Sequence, residues 1–204
     1  DDRGFILAVA DARLQPSLTP LLADACGTLA AQAPGLDGIY AYGSVARGEA
    51  CVGVSDLDLT VLLREPPTPA AREQLEGLRR TLEARHPEVV KIDLDIGSCA
   101  DALDPGQTYR WGFWLRHHCR CLWGEDRSRS FGPFRPSRDI ALAMNGDFET
   151  VLGGYLARLG QAGSLQDRWV LQRAASRKLL RATQILQDVY LGEWPWSLDD
   201  HAQL

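Results

Sequence analysis

The sequence predicts a mixed α/β protein of the α+β class with a helical second half, and three observations support this. Up to Gly97, segments with helical spacing alternate with segments in which apolar and polar residues alternate. Residues 127–136, rich in Ser, Gly, Phe and Pro, then form a linker. Beyond this linker only helical spacing recurs. We therefore expect two domains, residues 1–130 and a helical C-terminal domain of residues 131–204.

The first half predicts two helices and three strands. Apolar residues at helical spacing predict a helix over residues 17–33, and short strands are expected at residues 39–42 and 55–63. Thr68 as N-cap and Pro69 at the first helical position start a helix over residues 69–85, which ends before Pro87. Apolar and polar residues then alternate over residues 89–96. Their predicted apolar face is Val90, Ile92, Leu94 and Ile96, and their polar face is Lys91, Asp93 and Asp95.

Between the first two predicted strands lies a turn, Tyr42-Gly43-Ser44-Val45-Ala46-Arg47-Gly48. Gly43 permits close approach to the backbone, and the N–H groups of a starting helical turn, with the Ser44 hydroxyl, suit a phosphate. The next strand carries Asp56 and Asp58, which share a face because residues two apart in a strand point the same way. Paired oxygen ligands beside a phosphate cradle predict a site for a nucleotide and Mg²⁺.

These ordered motifs carry a family resemblance. Gly43-Ser44, Ala46-Arg47-Gly48 and Ser55-Asp56-Leu57-Asp58-Leu59 resemble the signature of the DNA polymerase beta-type nucleotidyltransferase superfamily, in its small bacterial form. The resemblance covers residues 20–97 and implies a small mixed sheet with helices on its apolar face. It also implies a nucleoside triphosphate as substrate and two Mg²⁺ ions as cofactors, which makes residues 1–130 a nucleotidyltransferase domain. We expect the triphosphate to be ATP, and no short motif of this family records the nucleobase. The alternative is an ordinary hairpin whose turn carries Gly, Ser and Asp.

The resemblance implies a role for each carboxylate. Asp56 and Asp58 would hold both metal ions, and a third acid on the third strand would bind the catalytic ion or take the acceptor's proton. Asp93 and Asp95 share the correct face of that strand. We favour Asp93, because Lys91-Ile92-Asp93-Leu94 fits the family's usual pattern, and keep Asp95 in reserve.

Three residues of the turn are predicted to bind the nucleotide. Ser44 would donate its hydroxyl to the β- or γ-phosphate, and Gly43 would let the backbone approach it. Arg47 would neutralise triphosphate charge; an equally good interpretation is a surface Arg that closes the turn.

Composition narrows the function classes. The 22 Lys and Arg against 27 Asp and Glu give a net charge of −5, so nucleic acid is not expected as a partner. The five cysteines lack disulfide or zinc-ribbon spacing, which fits a reducing cytoplasm. We see no signal peptide and no apolar run long enough for a membrane span. The preference for Arg over Lys indicates a high-GC bacterium. The only methionine is Met144, and we expect the chain to be part of a longer product.

The segment after Gly97 allows a metal hypothesis. It is rich in aromatic residues and ends in His117-His118-Cys119-Arg120-Cys121. Cys-x-Cys is not a usual zinc spacing, and the alternation favours a buried strand. The ending Leu122-Trp123-Gly124 resembles a strand that many small nucleotidyltransferases add after their core.

The second half predicts two long helical segments. Ser137 caps a segment that reaches residue 159 with a break at Asn145-Gly146, and Ser164 starts a helix that reaches about residue 191. One face of the latter carries four cations: Arg173, Arg177, Lys178 and Arg181. Arg177 and Lys178 are candidate phosphate ligands, and a solvated charged face is the alternative. The aromatic and acidic segment at residues 193–200 suits either a polycationic acceptor or a helix stop with core tryptophans.

Together the sequence predicts a Mg²⁺-dependent nucleotidyltransferase that moves AMP from ATP to a hydroxyl of a small-molecule acceptor and releases pyrophosphate. The small acceptor follows only from the layout of the helical half, which resembles that of aminoglycoside nucleotidyltransferases. The alternatives are an adenylyltransferase acting on a protein or RNA, of toxin–antitoxin type, and a non-catalytic nucleotide-binding module. An active site shared between the chains of an oligomer also stays open.

Overall fold

The computed structural model describes residues 1–187 and 194–203. The chain divides into two compact units, one formed by Leu7–Pro133 and the other by Asp1–Ile6 with Phe134–Leu204. The N-terminal residues Asp1–Ile6 thus group with the helical half of the chain.

The unit Leu7–Pro133 contains a mixed sheet with helices between its strands. In chain order the elements are α1 (Thr19–Gln32), β1 (Leu36–Tyr42), α2 (Gly43–Arg47), β2 (Leu57–Leu63), α3 (Pro69–Arg85), β3 (Ile92–Ser98), α4 (Cys99–Ala102) and β4 (Arg120–Gly124). The strand order is β3-β2-β1-β4. Strands β2 and β3 are parallel with α3 as their crossover, whereas β1 pairs antiparallel with β2 and β4. The predicted α+β class with a small mixed sheet is confirmed.

Apolar side chains cover both faces of this sheet. Leu57, Leu59 and Val61 of β2 are fully buried and contribute to one core together with the buried apolar faces of α1 and α3. On the opposite face a second buried cluster contains Tyr40, Leu62, Ala102, Leu115 and Cys119. Residues 58 and 60 lie on the same face as Leu62, and the fully buried Thr60 accepts a hydrogen bond of 3.1 Å from the Trp114 indole N–H.

Helix α3 agrees with the prediction at both ends. The Thr68 hydroxyl accepts a hydrogen bond from the Ala71 N–H at 3.1 Å, and Pro69 is the first helical residue. The buried residues of α3 are Leu75, Leu78 and Leu82, one helical face. Local capping signals were sufficient to predict where α3 begins and ends, because they act within one turn of the helix.

Strands β2 and β3 begin later than predicted. Strand β2 starts at Leu57 rather than residue 55, and β3 spans Ile92–Ser98 rather than residues 89–96. Val90 was predicted to face the core but is 58% exposed, whereas Val89 is buried. The reason is a turn after α3, in which the Val89 N–H bonds the His86 carbonyl, so strand alternation does not extend back to these residues.

The predicted strand over residues 117–121 is only partly correct. Strand β4 does add to the sheet beside β1, as the resemblance implied, but Trp114–His118 is a π-helical turn. The Trp114 and His118 rings stack at 5.2 Å, and the buried His117 contacts the Leu7 carbonyl oxygen through Nδ1 at 2.8 Å. An apolar alternation at this length does not distinguish a short strand from a helical turn.

The second unit is helical. It contains α5 (Arg138–Asn145), α6 (Phe148–Gln161), α7 (Leu165–Ala182) and α8 (Leu198–Ala202). Ser137 and Ser164 cap α5 and α7 as predicted, and the break at Asn145-Gly146 is present.

The prediction that the helix starting after Ser164 continues unbroken beyond Ala182 is wrong. Helix α7 ends at Ala182, a 3₁₀ turn covers Thr183–Leu186, and Gln187 is extended. The Thr183 hydroxyl donates to the Leu180 carbonyl oxygen at 2.7 Å, which competes with the helical backbone bond. The predicted end near residue 191, and Glu193 of the aromatic and acidic segment, lie outside the described residues.

Two further observations concern the cysteines and the apolar character of the helices. All five cysteines are free thiols. Among residues 1–187 and 194–203, no helix combines the length and apolar character that crossing a membrane requires.

Candidate active site

Helix α2 begins at the predicted phosphate turn. Gly43, its first residue, has φ +69°, a conformation that an L side chain rarely adopts. Its Cα lies against the Asp58 carboxylate so closely that a Cβ at this position would overlap an oxygen of Asp58. The turn and the second predicted carboxylate are therefore in contact, and only glycine fits between them.

The pairing of β2 with β3 brings two of the predicted acids together. Asp58 is the register partner of Asp93, and Thr60 is the partner of Asp95. Register partners on neighbouring strands point to the same side of the sheet, so Asp58 and Asp93 are side by side. Tyr42 is the partner of Asp58 on the other neighbouring strand, β1. The carboxylates thus occupy the end of the sheet face that adjoins α2.

Asp56 does not belong to the strand as predicted, because β2 begins at Leu57. It is nevertheless close to the other acids, since its negative charge is one of the causes that raise the pKa of Asp58. Of the predicted pair, Asp56 is therefore a loop residue and Asp58 a strand residue. They belong to the same acidic cluster although they do not lie on the same face of a strand.

Asp58 is the acid whose protonation the site changes most clearly. Burial, followed by the negative charges of Asp93, Asp56 and Asp95, raises the pKa of Asp58 to about 6. The same environment raises the pKa of Tyr42, through burial first and then through Asp95. Clustered negative charge in a partly desolvated position is the property expected of a cation site.

The two candidates for the third carboxylate have different partners. Asp93 Oδ1 lies 2.5 Å from the Lys91 ammonium, and this pair raises the pKa of Lys91. Asp95 Oδ2 accepts a hydrogen bond of 2.7 Å from the Tyr42 hydroxyl. Asp93 therefore faces a cation beside Asp58, whereas Asp95 accepts from a neutral donor two register positions further along the strands.

Residues 28–102 match the family model described as nucleotidyltransferase domain. This chain carries a nucleotidyltransferase domain. The matched residues include the Gly43-Ser44 turn, Asp56, Asp58 and strand β3. The match confirms the superfamily and the enzyme class that the motifs predicted. No curated protein matches the chain.

Several solved structures resemble the chain at low identity. Spectinomycin adenyltransferase AAD(9) from Enterococcus faecialis, with ATP and spectinomycin, is 16% identical and has a TM-score of 0.45, over 85% of this chain and 91% of that one. A toxin–antitoxin structure with AMP-PNP is 17% identical and has a TM-score of 0.36, over 69% of this chain and 96% of that one. The toxin–antitoxin MntA–HepT structure is 15% identical and has a TM-score of 0.33, over 70% of this chain and 96% of that one. We draw no functional conclusion from likenesses at this level.

The nucleotidyltransferase domain offers the donor chemistry of a Mg²⁺ site. As the side chains stand, no three His, Cys, Asp or Glu residues in the described part of the chain are arranged to hold a metal ion. The donors at this position are nonetheless carboxylate oxygens, the ligands that Mg²⁺ prefers. A divalent cation would also relieve the mutual repulsion that raises the pKa of Asp58. The oxygen donors that Mg²⁺ requires are therefore present in the carboxylates of Asp56, Asp58 and Asp93.

The remaining predicted nucleotide ligands have partners of their own. Arg47 pairs through Nε with Glu49 at 2.7 Å on the domain surface. Lys178 lies on α7 of the helical unit, where its ammonium is 2.5 Å from Asp147, and the half-buried Arg177 precedes it. Lys178 is thus paired with an acid, as in the alternative interpretation, but its side chain is only 16% exposed and not solvated as that interpretation expected. Binding of nucleotide by these residues stays a prediction.

Two residues of the site were not among the predicted ones. Lys91 precedes Asp93 by two positions, so its place on the polar face was readable from the sequence, but its pairing was not. Tyr42 reaches Asp95 across two strands, and only the register of the sheet brings these side chains together. No local signal identifies such a pair.

Proposed function

We propose that this nucleotidyltransferase transfers AMP from ATP to a hydroxyl of a small-molecule acceptor and releases pyrophosphate. The observation that carries the proposal is the register pairing of Asp58 with Asp93 next to the Gly43-Ser44 turn. It brings a carboxylate pair and a phosphate-binding turn into direct contact, inside the residues that match the family. The small acceptor is supported by the layout of the helical half, and the choice of ATP is the part of the proposal that the comparison of triphosphates below tests.

The chemistry follows from this arrangement. The acceptor oxygen attacks the α-phosphorus, the bond from that phosphorus to the bridging oxygen breaks, and pyrophosphate leaves with the electron pair. Gly43 and Ser44 would hold the β- and γ-phosphates, which orients the leaving group in line. Asp93 would receive the acceptor's proton. Two Mg²⁺ ions held by Asp56, Asp58 and Asp93 would supply Lewis-acid charge neutralisation.

The choice of Asp93 over Asp95 is testable by paired substitution. We expect Asp93→Asn to lower pyrophosphate release at least about 100-fold, the usual cost of removing a positioned base or metal ligand. Asp95→Asn is its matched control, because it changes the next acid on the same strand face, and it should stay within about tenfold of wild type. The Tyr42 hydroxyl that now donates to Asp95 can donate to the Asn oxygen instead. The opposite ranking would assign the role to Asp95.

The function itself is tested by measuring pyrophosphate release with Mg²⁺ and each nucleoside triphosphate, with and without a panel of aminoglycosides. Release that requires ATP and one acceptor, and that Asp58→Asn abolishes, is the expected result. Release without any added acceptor would indicate that AMP passes to water or to a hydroxyl of the protein itself. Nucleotide binding without release under all conditions would contradict transfer and support a non-catalytic module.

A further inference from the structure

The backbone of Lys91 is held at the start of the sheet. This residue directly precedes β3, and its carbonyl oxygen accepts a hydrogen bond of 2.9 Å from the N–H of Leu57, the first residue of β2. This bond fixes the Lys91 backbone at the point where the sheet begins. The residue can therefore direct its side chain to the carboxylates of both strands.

The Lys91 ammonium is the cation that the structure shows on this cluster. It lies 2.5 Å from Asp93 Oδ1, and its charge also acts on Asp56 and Asp58. These are the acids assigned to the metal. Lys91 thus supplies one positive charge to a site that otherwise concentrates negative charge.

The contact is also one that can be released. The side chains of Lys91 and Asp93 are 54% and 39% exposed, so water can replace either partner. An ammonium on a flexible stem makes a single point contact, whereas a guanidinium would clamp a carboxylate with two parallel bonds. The ion pair between Lys91 and Asp93 can therefore form in the metal-free protein and can break when another cation competes for Asp93.

We propose that Lys91 is a built-in counter-ion that occupies Asp93 in the metal-free protein and must be displaced when a divalent cation binds. The proposal rests on the metal site of the proposed function. Lys91 then sets the affinity of the site in two ways: a bound cation must compete for Asp93 Oδ1, and it meets the repulsion of a like charge nearby. The role of Lys91 is to position and balance the acids, and it need not touch the nucleotide.

The test measures binding of Mn²⁺, used as the metal probe, by isothermal titration calorimetry without nucleotide. We expect Lys91→Gln to bind Mn²⁺ about fivefold more tightly than wild type, because it removes one exposed competing charge. Lys91→Met, similar in length and uncharged, should give the same gain and guards against an effect of the Gln amide. Lys91→Arg keeps the charge and should not gain affinity.

Two controls define the site. Arg85→Gln removes a similarly half-exposed cation, 3.3 Å from Asp24 and 46% exposed, and should leave Mn²⁺ affinity within about twofold. Asp58→Asn should weaken binding in every background, which shows that the titrated ion is at this cluster. Equal or weaker Mn²⁺ binding by Lys91→Gln and Lys91→Met would overturn the proposal, since Lys91 would then not compete with the ion.

Failure here and failure of the proposed function are separable with the same preparations. If wild type releases pyrophosphate but Lys91→Gln shows no gain in Mn²⁺ affinity, the counter-ion role is wrong and the transferase assignment stands. If no triphosphate is consumed but Lys91→Gln does gain affinity, the counter-ion role is supported and transfer is not.

Discussion

Replacing Asp58 by Asn should stabilise the metal-free protein at neutral pH. Most substitutions at a partly buried polar residue destabilise, but here burial and three neighbouring acids raise the pKa of Asp58 to about 6, above its ordinary value of 3.8. The folded protein therefore holds this proton more tightly than the unfolded chain does. Between these two pH values the wild type loses stability as the pH rises, and above about pH 6 the loss is complete.

The size of the effect follows from the displacement of the pKa. A rise from 3.8 to about 6 corresponds to about 3 kcal/mol at 1.36 kcal/mol per pKa unit. Asp58 is only partly buried, and screening by solvent reduces this to about 2 kcal/mol. Asn is neutral and nearly isosteric, so it avoids the cost of the charge. For a chain of this size, 2 kcal/mol is about 4 to 8 °C in melting temperature.

The assay is urea unfolding of wild type and Asp58→Asn in EDTA from pH 3.5 to pH 8. The variant should gain about 2 kcal/mol of unfolding free energy at pH 7 to 8, and most of this gain should be lost by pH 3.5, where wild-type Asp58 is mostly protonated in both states. A variant that is less stable than wild type at pH 8, or a difference that does not change with pH, would refute the reasoning.

Asp37→Asn provides a control of opposite sign. The hydrogen bonds from Arg127, at 2.8 and 2.9 Å, lower the pKa of Asp37. Its carboxylate therefore stabilises the fold above the ordinary pKa, and this contribution is lost as the pH falls through the lowered value. Asp37→Asn should destabilise the protein at neutral pH, and its cost should shrink in acid.

Two further predictions concern positions where the structure allows little change. Gly43→Ala should cost about 2 kcal/mol of unfolding free energy and weaken nucleotide binding, because the added Cβ meets the Asp58 carboxylate and the φ of +69° disfavours it; a variant as stable as wild type in urea would contradict this. Tyr40→Phe should cost about 1 to 3 kcal/mol, because the Tyr40 hydroxyl donates to the Glu125 carbonyl oxygen and accepts from the Arg127 N–H, at 2.9 and 2.8 Å, and the change leaves both without their partner. Faster hydrogen exchange at the Arg127 amide would accompany that loss, and unchanged exchange would argue against it.

Features that depend on near neighbours in the chain could be predicted from the sequence. Helix α3 has the predicted bounds because its N-cap, its proline start and the proline beyond its end all act locally. The glycine turn before Asp58 and the apolar face of β2 were likewise readable, since a strand's alternation is a property of the strand itself. The nucleotidyltransferase domain could be predicted because its motifs lie close together in the chain.

The tertiary structure alone decided which side chains meet. The choice between Asp93 and Asp95 stayed open in the sequence because both share one face of β3, and only their register partners, Asp58 and Thr60, distinguish them. That register makes Asp93 the neighbour of Asp58 and gives Asp95 to the Tyr42 hydroxyl, while the Lys91 ammonium pairs with Asp93. Strand pairing joins residues far apart in the chain through backbone bonds that every residue type can make, so no local pattern records it.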